Sequence, residues 1–137
     1  MNSVSIDTNI LIYLSQPFSP FYKDAIKLLE FADKTKHTLF ISSFGIAEYL
    51  SFSGTFEQEN DIMPLLDTGV IHEIPFGRKE AELFAQLRQN HNIGPIDAAH
   101  IATAITGGAN FFVTNDRQLQ KLELPNIKII GPGALKS

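Results

Sequence analysis

The chain has 137 residues, 44% of them hydrophobic, and a formal net charge of −4. That is enough apolar chain for one domain with a real core, and too apolar for a disordered protein. The absence of cysteine excludes disulfides and thiolate metal sites, and the acidic balance argues against a broad basic face for duplex nucleic acid while leaving room for a small phosphate-binding patch.

Val4–Ser5–Ile6 is short and apolar and predicts a buried strand. Asp7, Thr8 and Asn9 follow as turn or cap residues before the run Ile10–Leu14. That run has no basic residue before it and is not read as a signal peptide, and no apolar stretch approaches the ~20 residues of a membrane span. A cytoplasmic location is the expectation. After Pro17 and Pro20, the spacing of Phe21, Ala25, Leu28, Leu29 and Ala32 predicts a helix. Thr38–Ser43 predicts a second buried strand, and Phe44–Phe52 a helix that is apolar nearly all round. Residues 54–68 carry the weakest pattern, with a short helix from Asn60–Asp61 through Leu65–Leu66 that tolerates Pro64 only near its first turn. Val70–Phe76 alternates and predicts a third strand. The next helix has Ala81, Phe84, Ala85 and Leu87 on its expected inner side and runs to about His91. Gly94–Pro95 restarts the chain into an apolar helix, Ile96–Ile105, closed by Gly107–Gly108. Phe111–Thr114, Arg117–Leu122 and Ile127–Ile130 predict a fourth strand, a short helix and a fifth strand.

Strands alternating with helices imply an α/β fold with a largely parallel sheet, and apolar strands without strict alternation fit a sheet covered on both faces. No repeat or internal boundary interrupts residues 1–137, which read as a single domain. In such folds ligands bind beyond the carboxyl ends of the strands. Asp7 directly follows the first strand, and Asp116 lies two residues past Thr114. Glu48 is in the first turns of the helix leaving the second strand, and Asp97 is in the first turn of the helix after Gly94–Pro95. Each has a plainer reading. Asp7 and Asp116 can cap helices, and Asp97 can complement a helix dipole. Glu48 has apolar neighbours and no lysine or arginine within a helical turn, so on a helix with little solvated face it needs a partner, with Ser51 or a distant arginine as the plain candidates. Asp97, His100 and Thr103, spaced by three, form one polar stripe on an otherwise core-like helix. His100 in that stripe is either a neighbour-bonding residue or a phosphate or proton contact.

Gathered acids need a counter-charge. Two carboxylates ~4 Å apart repel by about 4 kcal/mol at an effective dielectric of 20. The histidines at 37, 72, 91 and 100 have no zinc-type spacing, so any metal is expected on oxygen ligands, which suits Mg²⁺ or Mn²⁺. Such ions make water a nucleophile and steady a departing phosphodiester oxygen, so metal-dependent phosphodiester hydrolysis is the natural chemistry for this residue set.

The stretches "SIDTNILIYL", "ISSFGIAEYL", "IDAAHIATAI" and "FFVTNDRQL", in this order, resemble a PIN domain, and in particular the small VapC-type ribonuclease toxins. The resemblance spans the whole chain. It implies a three-layer α/β/α fold with a twisted, mostly parallel five-stranded sheet, and an acidic pocket of Asp7, Glu48, Asp97 and Asp116 that serves metal-dependent RNA cleavage. By that analogy Asp7 and Asp97 are the foremost metal ligands. Glu48 and Asp116 hold the metal's waters or orient the attacking water, with Asp116 also counted at the metal site. Thr8, Asn9 and Thr114 trim the pocket by hydrogen bonding, and His100 supports it. The implied partners are RNA, an antitoxin protein and a second copy of the chain. Phe18, Phe21, Tyr22, Phe52 and Phe56 are either core or such a contact face. Lys34, Lys36, Arg78, Lys79, Arg88 and Arg117 are candidate phosphate contacts, or ordinary solvated charges.

Other classes fit less well. A phospho-acceptor signalling domain wants an acidic pair after strand one, an Asp after strand three and a Lys after strand five, where this chain has Asp7 alone, Pro75–Phe76–Gly77 and Gly131–Pro132–Gly133. A haloacid-type phosphatase wants a second Asp where Asn9 stands, and a structure-specific DNA nuclease wants a longer chain. A non-catalytic RNA- or partner-binding module of the same fold remains the alternative.

Overall fold

The computed structural model describes residues 2–52, 58 and 60–135. Five parallel strands, β1 (Ser3–Ile6), β2 (Thr38–Ser42), β3 (Ile71–Ile74), β4 (Phe111–Val113) and β5 (Lys128–Ile130), form one sheet in the order β3-β2-β1-β4-β5. Seven helices lie among the described residues: α1 (Thr8–Leu14), α2 (Tyr22–Thr35), α3 (Ser43–Phe52), α4 (Met63–Asp67), α5 (Arg78–Asn90), α6 (Pro95–Thr106) and α7 (Arg117–Gln120). Every predicted element is present, with ends shifted by one to three residues.

The two-residue side-chain period of the strands splits the core into two layers. Val4, Ile6, Leu39, Ile41 and Val113 face one way and pack with Ile10, Leu11 and Leu14 of α1, Ala25, Leu28 and Ala32 of α2, and Tyr49 of α3. Phe40, Phe112 and Ile129 face the other way and pack with Leu87 of α5, Ala98, Ile101 and Ala102 of α6, and Leu119 of α7. The result is a three-layer α/β/α domain. Burial on both faces explains why β1 and β2 read as continuous apolar runs rather than as alternating strands.

The chain leaves β1 toward β2 on one side of the sheet and later returns to pair β4 on the other. The strand order therefore reverses between β1 and β4, and their carboxyl ends open a crevice there. Backbone hydrogen bonds close the pairing up to its rim, from Asp7 N–H to Val113 O at 2.9 Å and from Thr114 N–H to Ile130 O at 3.0 Å.

Two expectations about helix faces are corrected. Ala81 and Ala85 of α5 are exposed; its inner side is Leu87, with Leu83 and Phe84 partly buried beside it. Small side chains on a mostly polar helix do not outcompete a leucine and a phenylalanine for the core. Helix α3 is not buried all round. Only Gly45 and Tyr49 are buried, while Phe44, Leu50 and Phe52 are exposed. Hydrophobic composition alone does not say whether an apolar face meets its own core or is left outside.

Candidate functional site

Asp7 is the N-cap of α1 and Asp116 the N-cap of α7. The capping explanation of both is therefore correct, and it does not consume either carboxylate. Asp7 Oδ1 accepts the Thr8 N–H at 2.7 Å, and its Oδ2 accepts the Thr114 hydroxyl at 2.6 Å. Asp116 Oδ1 accepts the N–H groups of Gln118 at 2.9 Å and Leu119 at 3.3 Å. Each carboxylate oxygen has two acceptor sites, so capacity for another donor or a cation remains on both residues. Thr114 is the link between the two acids, because its Oγ1 also accepts the Asp116 N–H at 3.0 Å. Asn9 reaches the same Oγ1 through Nδ2 at 3.4 Å, while its own Oδ1 is buried without a hydrogen-bond partner.

Glu48 comes from the other side of the crevice, on α3. Its Oε1 accepts the Thr8 hydroxyl at 2.6 Å and lies 2.7 Å from Nε2 of His100. Neither Ser51 nor an arginine is its partner, since Ser51 donates to the Ala47 carbonyl at 2.7 Å. Gly45 lets α3 come this close: a Cβ there would sit 2.6 Å from Cγ1 and Cδ1 of Ile41 and 3.5 Å from Thr8 Oγ1. His100 is buried, and its Nδ1 lies 2.8 Å from the hydroxyl of Ser42, the last residue of β2. Neither His100 nor Thr103 bonds along the predicted stripe; the Thr103 hydroxyl donates to the Ala99 carbonyl at 2.9 Å. Ser42 was missed from the sequence. Its only signal there is its place at the carboxyl end of a strand.

Asp97 feels the charges of the other three acids, while Asp7, Glu48 and His100 are the residues that lie close together. Burial pushes the Asp7 carboxyl above its ordinary value, and the charge of Glu48 pushes further, while His100, the Thr114 hydroxyl and the Thr8 N–H oppose. Asp97, half-buried on α6, is raised first by burial and then by Asp7, with Asp116 and Glu48 adding to it and His100 opposing. Glu48 is lowered, chiefly by the His100 hydrogen bond and with help from Thr8, against the cost of its burial. Among the described residues no lysine or arginine pairs with any of the four, and Asp97 accepts no hydrogen bond. Asp7, Glu48 and His100 each offer a ligand atom within 4.8 Å of the others, so a divalent ion could be held here. The donor set fits a hard cation: two of its three members are carboxylates, and burial and the charge of Glu48 both disfavour an ionised Asp7 without a counter-charge.

Residues 4–124 match the PIN domain. The chain belongs to the PIN domain family. Solved structures of similar fold to this PIN domain include VapBC2 from Rickettsia felis bound to a DNA fragment from their promoter, at 23% identity and a TM-score of 0.71, covering 93% of this chain and 97% of the other. A toxin–antitoxin complex from Klebsiella pneumoniae matches at 22% identity and 0.69, covering 95% and 98%. DNA-bound VapBC from Salmonella typhimurium matches at 18% and 0.67, covering 96% and 99%. No curated protein matches the sequence.

Of the other predicted contacts, Arg88 is engaged by the Ile93 carbonyl at 2.8 Å, and Lys34, Lys36, Arg78, Lys79 and Arg117 are exposed. Phe18, Phe21 and Phe52 are exposed and not core, Tyr22 is partly buried, and Phe56 lies outside the described residues. No helix among the described residues is long and apolar enough to cross a membrane.

Proposed function

We propose that residues 1–137 form one nuclease domain that hydrolyses RNA phosphodiester bonds with Mg²⁺ or Mn²⁺, as the toxin of a type II toxin–antitoxin pair. The observation that supports the reading is the close cluster of Asp7, Glu48 and His100, with Asp97 raised by the charges of Asp7, Asp116 and Glu48 and no lysine or arginine among the described residues to neutralise these acids. Asp7 and Asp97 would hold the ion, with Asp116 beside them. A bound divalent ion supplies Lewis acidity, which activates water and stabilises the departing oxygen. Glu48 is kept ionised by its two donors on Oε1, and its other oxygen has no partner among the described residues, so Oε2 can orient the attacking water and accept its proton. Thr8 and Thr114 hold Glu48 and Asp7 in place, and Asn9 in turn steadies Thr114.

The toxin half of the reading is supported by the fold shared with chains of VapBC and toxin–antitoxin complexes. The exposed Phe18, Phe21 and Phe44 suit an antitoxin or a second copy of the chain, and a cytoplasmic location follows from that role. The test is cleavage of structured and single-stranded RNA by the purified chain in Mn²⁺, in chelator, and as Asp97→Asn. Cleavage should require the ion and fall by about a hundredfold or more in the variant. Chelator-resistant cleavage would remove the metal mechanism, and no cleavage together with no metal uptake would leave a non-catalytic binding module. Pairing is tested by co-purification with the product of the neighbouring reading frame.

A further inference from the structure

We infer that Ser42 fixes the proton of His100 on Nε2, and that His100 is thereby a positioning residue that clamps Glu48 rather than a ligand of the metal. The consequence for catalysis rests on the nuclease reading above; the proton assignment does not.

The argument is a count of protons in a sealed space. Ser42 is 1% exposed, and its Oγ accepts the Gly45 N–H at 3.1 Å and lies 2.8 Å from His100 Nδ1. Among the described residues its hydroxyl hydrogen has no acceptor other than that nitrogen. If Oγ–H donates to Nδ1, the ring carries its proton on Nε2 and donates it to Glu48 Oε1 at 2.7 Å. The Ser42 hydroxyl and both nitrogens of the His100 ring then have partners, which is the rule for interiors. The other neutral tautomer fails twice. It strands the serine hydrogen, and it sets the Nε2 lone pair against a carboxylate oxygen. Protons on both nitrogens strand the same serine hydrogen.

Metal ligation needs the lone pair of Nε2. Although Nε2 lies within 4.8 Å of ligand atoms of Asp7 and Glu48, using it would mean giving up the Glu48 bond and leaving the Ser42 hydroxyl hydrogen without an acceptor among the described residues. The ring is also fixed sideways, stacked on Phe112 with centroids 6.5 Å apart. A serine nucleophile, with Ser42–His100–Glu48 as its triad, is excluded by the same burial: Ser42 Oγ is closed off from any substrate. The arrangement instead joins β2, α6 and α3 through one ring. Glu48 Oε1 is held by Thr8 and His100 together, and Oε2 is the oxygen left for the reaction.

Long-range ¹H–¹⁵N spectra of the full chain with labelled histidine read the assignment directly. The His100 signals, identified by their loss in His100→Gln, should show a protonated Nε2 and an unprotonated Nδ1, and should keep that pattern when Mg²⁺ is added. Loss of the Nε2 proton on adding Mg²⁺, or a proton on Nδ1 in the metal-free protein, would overturn the inference. Two variants separate holding from ligating. Glutamine keeps an N–H donor near the Nε2 position; alanine keeps none. His100→Ala should lower kcat by about 10- to 100-fold with little change in KM, and His100→Gln should restore about tenfold of that loss. Mn²⁺ affinity measured by calorimetry should be essentially that of the parent in both variants. An equal, larger loss of Mn²⁺ affinity in both would make His100 a ligand. Ser42→Ala should yield mixed tautomers and a lower kcat; an unchanged spectrum would sink the role given to Ser42. If the parent cleaves no RNA, the nuclease reading falls, while the spectra still decide the proton assignment.

Discussion

Thr114 donates its hydroxyl to Asp7 Oδ2 at 2.6 Å, joining residues 107 apart in sequence across the β1/β4 boundary. Thr114 Oγ1 in turn accepts the Asp116 N–H and the Asn9 amide, so one buried hydroxyl organises three residues of the acidic crevice. Thr114→Val keeps the shape and removes the hydroxyl. It leaves a buried carboxylate oxygen and the Asp116 N–H without their partner, which should cost about 1–3 kcal/mol of stability. Denaturant unfolding measures that loss, and Thr114→Ser should recover most of it. A valine variant as stable as the parent would mean that the hydroxyl is dispensable.

Asp97 gives a prediction of opposite sign. Burial and then Asp7 raise its carboxyl above its ordinary value of 3.8. The native state thus holds the proton more tightly than the unfolded chain. Stability contributed by this residue falls as pH rises from the unfolded value through the raised folded one, and the cost is complete once both forms are ionised. Asp7 acts in the same sense. Glu48 acts in the opposite sense. Its pKa lies below 4.5, so its contribution is present above that value and lost as pH falls through the lowered one. Asp97→Asn should therefore melt higher than the parent in chelator at about pH 7, and gain less on mild acidification. Calorimetry at several pH values checks this, and a variant that melts no higher than the parent would contradict it.

The close approach of α3 to β2 yields a paired test. Gly45→Ala drives a Cβ to 2.6 Å from Ile41, whose side chain is fully buried. Overpacking of this kind costs about 1–3 kcal/mol, against a helix-propensity gain of up to about 1 kcal/mol, so the variant should be destabilised. Removing Cδ1 with Ile41→Val should give back part of the loss, so that the double variant is more stable than the two single effects add up to. Strict additivity in a double-mutant cycle would show that this contact is not the source of the cost.

The residues that carried most from sequence to structure were those with local chemistry. Asp7 and Asp116 stand where a strand becomes a helix, and the short apolar runs before them placed β1 and β4 correctly. Gly94–Pro95 marked the start of α6, and with it the helix position of Asp97. The α/β/α class followed from the alternation of these elements. What failed was the outward or inward sense of faces: Ala81 and Ala85 lie outside, and α3 shows Phe44 and Leu50 to solvent. A helical period repeats every turn but does not say which neighbour it will meet.

Chain order, element type and the identity of the acids were decided by the sequence, because capping, turn formation and hydrophobic periodicity act within a few residues. Only the tertiary structure decided that Glu48 is held by Thr8 and His100, and that His100 is in turn bonded to Ser42. Those contacts span 40, 52 and 58 residues, and they depend on how α1 meets α3, how α3 meets α6 and how α6 meets β2. Hydrogen bonds of that range arise from how the helices dock on the sheet, which side-chain volumes and the gap at Gly45 settle together and no local pattern encodes.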